Sequence, residues 1–171
     1  MKRLNMFVDN RQGKRERIDL SKFNEDQVFQ INKGFESGVD VNIYAKSYFD
    51  YSQMEVLRLG LEMGLDVSMY ASPDFNDLQM YEIKYGLEEG LDVSVLANPK
   101  FNYLQMDEIR YGLKNNLDVS KFANPEYNYK QMRQILLGLE SKVDVDEYAK
   151  PKLTYVQMKE IRLELEKEKN K

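Results

Sequence analysis

The chain has 171 residues, with 25 Lys/Arg against 29 Asp/Glu, a formal net charge of −4, and 42% hydrophobic residues. That is enough apolar material for a folded core. It contains neither cysteine nor histidine, which excludes disulfides, zinc–thiolate sites, and thiol or imidazole catalysis.

Residues 1–22 come first and carry seven Lys/Arg and three Asp/Glu. They match nothing later in the chain and are expected to form a basic N-terminal cap or arm. Arg11, Lys14, Arg15 and Arg17 suit phosphate contacts, although such runs equally serve as solvated tails. The opening MKRLNMFVDN lacks the apolar segment of a secretory signal. No apolar run approaches the ~20 residues of a membrane span, so a cytoplasmic location is expected, with no membrane association.

From residue 23 to 171 an internal repeat governs the sequence. An apolar marker recurs every 26 residues, at Phe23, Phe49, Phe75, Phe101, Tyr127 and Leu153. Each marker is followed by a short polar residue: Asn24, Asp50, Asn76, Asn102, Asn128 or Thr154. Three residues on stands a glutamine, Gln27, Gln53, Gln79, Gln105, Gln131 or Gln157. This spacing predicts a capped helix start with a capping box, stapled by the marker. Apolar positions such as Met54, Leu57 and Leu61 then recur on one helical face. Gly38, Gly64 and Gly90 predict left-handed stops, with Asn116 and Lys142 in the next two copies. Lysine adopts that conformation at a cost, so the stop at Lys142 is expected to be strained or built differently. Asp40, Asp66, Asp92, Asp118 and Asp144 suit the caps of a second, short helix ending near Ala45, Ala71, Ala97, Ala123 and Ala149.

Gly34, Gly60, Gly86, Gly112 and Gly138 fall inside the long helices. Glycine there costs about 1 kcal/mol relative to alanine, and close approach of a neighbouring helix is the expected reason. The sixth copy has Glu164 instead and ends LELEKEKNK, as suits a terminal capping unit. The expected fold is all-α: tandem two-helix repeats, one long and one short helix each, stacked as an α-solenoid.

Residues Gln79–Phe101 are one variant of a phrase QMxxIxxGLxxGLDVSxYAxPxF that runs through residues 23–165. This phrase resembles a tandem helical repeat of poorly characterised proteins from Gram-positive bacterial mobile elements and phages. The resemblance implies a mobile-element or phage protein without a catalytic motif, of the kind that inhibits a host defence system such as CRISPR.

In a repeat protein the variable positions are where a partner is read. Tyr51, Tyr103, Tyr129 and Tyr155 occupy one such row, at the first helical position. They are the leading candidates for a protein partner, against the alternative that they pack between units. Arg58, Lys84, Arg110 and Arg162, beside Glu62, Glu82, Glu88, Glu108 and Glu160, read as an exposed charge ladder. Arg58, Lys84 and Arg110 are accordingly taken as a polar rim. The repeated aspartates read as caps and not as metal ligands, since each unit supplies only one. No phosphate-cradling loop or other cofactor motif is present. Adjacent carboxylates such as Asp107 and Glu108 point to different sides of a helix and offer no unique acid–base pair. A non-enzymatic, protein-binding chain is therefore expected. The alternative is a nucleic-acid accessory protein docking through the basic N-terminal segment.

Overall fold

The computed structural model describes the backbone of residues 5–9 and 15–171, and side chains from Ile18 onward. Strand β1 (Asn5–Asp9) pairs antiparallel with β2 (Arg15–Asp19), with Phe7 opposite Arg17 and Asp9 opposite Arg15. The N-terminal segment thus adds a strand pair to the expected all-α chain. Its end is anchored: Ile18 and Leu20 are buried. Six α-helices follow: α1 (Glu25–Ser37), α2 (Tyr51–Glu62), α3 (Asp77–Glu88), α4 (Tyr103–Lys114), α5 (Tyr129–Ser141) and α6 (Tyr155–Lys169).

Each helix begins where short-range hydrogen bonding dictates. The side chains of Asn24, Asp50, Asn76, Asn102, Asn128 and Thr154 accept from the amide three residues on, and the glutamine there accepts from the cap's own amide. Each such cap is worth about 1 kcal/mol. At the other end Gly38, Gly64 and Gly90 take φ near +72°, and Asn116 and Lys142 take φ of 54° and 56°. Lys142 accepts this conformation at a cost of about 1–2 kcal/mol. Lys169 Nζ partly offsets it by donating to the carbonyls of Ser141 (2.7 Å) and Lys142 (3.2 Å).

The expected short second helix is a single 3₁₀ turn: Val41–Ile43, Val67–Met69, Val119–Lys121 and Val145–Glu147. Asp40, Asp66, Asp118 and Asp144 cap these turns, and Asp92 accepts from the Ser94 amide in the equivalent turn. Pro73, Pro125 and Pro151 stand four residues beyond the last three of these turns and disfavour continuation, whereas Ser47 holds that place after Val41–Ile43.

These turns also explain the mid-helix glycines. A Cβ on Gly138 would fall on Tyr148 Oη and lie 2.9 Å from Val145 Cγ1. One on Gly112 would lie 2.7 Å from Phe122 Cζ. The close approach comes from the valine of the turn that follows in the same repeat and from the aromatic ring beside it, or Leu96 after Gly86, which corrects the expectation of a neighbouring helix. In α6 the equivalent place holds Glu164, which is exposed.

Two compact units divide the chain, residues 1–84 and 85–171, with the division inside α3. In the first, α1 packs on α2. In the second, α4 packs on α5 and α5 on α6. Within each unit the core is a row of fully buried residues at equivalent repeat positions: Ile31, Met54 and Leu57 in one, Met106, Ile109, Met132 and Ile135 in the other.

Candidate functional site

The capping glutamines have a second bond that joins neighbouring repeats. Gln27 Nε2 donates to the Phe49 carbonyl and Gln53 Nε2 to that of Phe75, both at 2.6 Å. In the second unit Gln105 reaches Tyr127 O, and Gln131 reaches Leu153 O at 2.6 Å and Pro151 O at 3.0 Å. The starts of α1, α2, α4 and α5 are thereby tied to the residue before the cap of the helix that follows. Within a unit, successive helices run parallel with their N-terminal ends side by side.

That edge carries the tyrosines. Tyr51 is 37% exposed in the first unit; Tyr103 and Tyr155 are 39% and 40% exposed in the second, with Tyr129 half-buried. They stand at the first position of α2, α4, α6 and α5, with Glu25 and Asp77 in the corresponding places of α1 and α3. Lys130 links the last two rings, its Nζ lying 5.8 Å from the Tyr129 centroid and 5.2 Å from that of Tyr155. Such placements are worth about 0.5–1 kcal/mol at exposed sites.

The basic row is placed differently from expectation. Lys84 and Arg162 are buried, and the side chains of Arg58 and Arg110 are only 11% and 19% exposed. Arg58 donates to Glu62 (2.7 Å) on its own helix and to Gln30 Oε1 (2.8 Å) on α1. Ser37 Oγ also donates to Glu62, and Tyr44 Oη to the Gln30 carbonyl. The second unit repeats the cluster with Arg162, Glu166, Gln134, Ser141 and Tyr148. The ladder is therefore a set of inter-helix polar clusters, and Arg58 and Lys84 do not form an exposed rim. Burial acts to raise the Glu62 carboxyl, but the hydrogen bonds from Ser37 and Arg58 and the guanidinium charge hold it below its ordinary range. The Ser141 hydroxyl does the most to depress Glu166. Burial pushes the Tyr44 and Tyr148 phenols well up. Arg110 bonds to Asp107 (2.7 Å) and Glu89 (3.3 Å) and lies 5.8 Å from the Tyr85 ring.

At Glu108 the pattern fails. Leu136 stands where α2 and α6 place the arginine that bonds across to the preceding helix. Among the described residues Glu108 keeps only Arg133, at 3.4 Å. Burial raises its carboxyl, Arg133 offsets part of this, and Asp107 and Glu140 add to it. Below the ordinary glutamate value of ~4.3, Glu108 is protonated whether folded or not and costs nothing. As pH rises through its raised folded value, the folded state must carry a poorly paired charge and loses stability. Glu108→Gln, which restores the residue type of Gln30 and Gln134, is expected to raise the melting temperature at pH 7 by about 2–4 °C. The gain should close as pH approaches ~4. Glu62, Glu89 and Glu166 are depressed and contribute stability that is lost in acid. They are common to both proteins, so paired melts across pH isolate Glu108.

Of the other sequence candidates, Arg11 and Lys14 lie outside the described residues, and for Arg15 and Arg17 only the backbone, in β2, is described. A surface groove of about 680 Å³ lined by Ile43, Leu61, Leu65, Val67 and Ala71 contains one carboxylate, Asp66, and no base. Among the described residues, no group of three carboxylates converges as a metal site, and no helix is long and apolar enough to cross a membrane. Sequence reasoning missed the glutamine links, which need a reach of 22 residues, and the lysines at the helix starts of the second unit. No family model, curated protein or solved structure matches the chain.

Proposed function

We propose that this chain is a non-enzymatic helical-repeat scaffold, stacked as a solenoid, that binds a protein partner along the edge formed by its helix starts. The observation that carries this reading is the tyrosine row. The equivalent position of each repeat lies directly after a cap, and the glutamine links bring neighbouring helix starts together. Tyr51, Tyr103 and Tyr155 leave more than a third of their surface open there, whereas Tyr44, Tyr70 and Tyr148 are wholly buried in the core. Rings with a polar tip and few torsions are favoured anchors for protein interfaces. A mobile-element or phage origin, and a role in inhibiting a host defence system, rest on the resemblance of the repeat phrase alone.

The test is a partner isolated by affinity capture and then titrated, as a purified protein, against the wild-type chain and Tyr103→Ala/Tyr129→Ala. The double variant should bind at least about tenfold more weakly, equivalent to about 1.4 kcal/mol, while its melt stays close to wild type. A variant that melts early yet binds at full affinity below its transition would make the tyrosines packing residues and remove them from the interface.

A further inference from the structure

The helix starts of the two units differ in charge. Residues 23–84 hold eleven Asp/Glu and four Lys/Arg. Glu25 and Asp26 occupy the first turn of α1 and Asp77 that of α3, where carboxylates complement the partial positive charge of a helix N-terminus. In α4, α5 and α6 no carboxylate occupies the first turn. Instead Lys130 is the second residue of α5, Lys159 lies one turn along α6 from Tyr155, and Lys100, Lys150 and Lys152 precede the starts of α4 and α6. All five are exposed, and none pairs with a carboxylate among the described residues. Ammonium groups at helix N-termini are unfavourable to the fold by a few tenths of a kcal/mol each. At the equivalent repeat places Glu126 precedes α5 and Asp107 lies one turn along α4, and lysines still outnumber these carboxylates beside the three helix starts, at some cost to helix stability.

We infer that the helix-start edge of α4–α6 docks an acidic, extended polypeptide segment, with Lys130 and Lys159 receiving carboxylates and Tyr103, Tyr129 and Tyr155 supplying contact area. This rests on the protein-partner reading above and names the partner's chemistry. Lys130 is held between two tyrosine rings, which orders its ammonium group before a partner arrives. Val156, 46% exposed in the first turn of α6, gives aliphatic side chains of the segment a place to rest. Packed helices are ~8–10 Å apart, so about three residues of an extended chain, at ~3.3 Å each, carry it from one helix to the next.

A nucleic acid fits this edge less well. Residues 85–171 hold 14 Lys/Arg against 15 Asp/Glu, so the unit as a whole has no field to attract a polyanion. Lys130 also sits against the Tyr129 and Tyr155 rings on which bases would have to stack.

The experiment titrates the full chain with a fluorescein-labelled peptide of about twelve residues, enough to span three helices, built of repeated Glu-Glu-Leu. The Lys-Lys-Leu counterpart and an oligothymidylate of similar length are run beside it. The acidic peptide should bind and the basic one should not. Lys130→Glu/Lys159→Glu should weaken binding at least tenfold, and raising salt from about 50 to about 300 mM should weaken it several-fold. Lys100→Glu/Lys152→Glu is a second variant should the first fail to fold. Absence of binding by the acidic peptide at low salt, indifference to both charge reversals, or tighter binding of oligothymidylate overturns the inference. If the acidic peptide fails while Tyr103→Ala/Tyr129→Ala still abolishes binding of the captured partner, the assigned partner chemistry is wrong and the protein-binding reading stands.

Discussion

Gly138→Ala should destabilise the protein by about 2–3 kcal/mol, although alanine is the better helix former by about 1 kcal/mol. A Cβ at this position would fall on Tyr148 Oη and 2.9 Å from Val145 Cγ1. Tyr148 is wholly buried and its hydroxyl donates to the Gln134 carbonyl at 3.1 Å. Making room means withdrawing the ring, which combines overpacking, about 1–3 kcal/mol, with a buried hydrogen bond lost, about 1–3 kcal/mol. Gly86→Ala is the internal comparison. There the new methyl meets Val93 Cγ1 at 2.7 Å and Leu96 Cδ2 at 3.4 Å, with no hydroxyl to displace, so its cost should be the smaller. Urea melts of both variants decide the matter. If Gly138→Ala proves neutral or stabilising, the aromatic turn does not set the requirement for glycine.

What was legible in the sequence is what depends on a few neighbouring residues. The caps and glutamine boxes form through side-chain-to-backbone bonds within four residues, and the left-handed stops through backbone bonds between residues at most five apart. Asn24 with Gln27, or Asn128 with Gln131, therefore announce a helix start before any packing is known. The strain expected at Lys142 is present for the same local reason. The glycines were legible only in part. A need for space follows from the cost of glycine in a helix, but its occupant sits seven to ten residues later in a turn too short to show a period. The charged row misled because Arg58 and Glu62 have the same i,i+4 spacing whether that face meets water or a neighbouring helix. Burial of Arg58 against Gln30 is a property of the packing. Strands β1 and β2 went unread because five-residue segments with one or two strand-forming side chains carry too little alternation. The basic edge of α4–α6 was readable in principle: its signal is the lysines beside those helix starts with no carboxylate in the first turns, visible only when charge is counted helix by helix rather than over the chain.

Gln131→Ala should cost about 3 kcal/mol and Gln157→Ala only about 1 kcal/mol, although the two residues hold the same place in the repeat. Both accept from their cap's amide, Gln131 from Asn128 at 2.8 Å and Gln157 from Thr154 at 2.9 Å. Loss of that arrangement is worth about 1 kcal/mol in either case. Gln131 is also 5% exposed, and its Nε2 serves the carbonyls of Leu153 and Pro151. Truncation leaves those acceptors without their donor in a half-buried junction, adding about 1–3 kcal/mol. Gln157 is exposed and begins the last helix, with no later repeat among the described residues to tie. The difference between the two variants therefore measures the inter-repeat link itself, with the capping contribution cancelled. Gln131→Glu sharpens the comparison, because a carboxylate can still accept from the cap's amide but cannot donate to the two carbonyls. It should fall nearer to Gln131→Ala than to wild type in urea melts at neutral pH. Equal costs for Gln131→Ala and Gln157→Ala would mean that the glutamine matters only within its own helix, and that the junction between repeats is held by apolar packing alone.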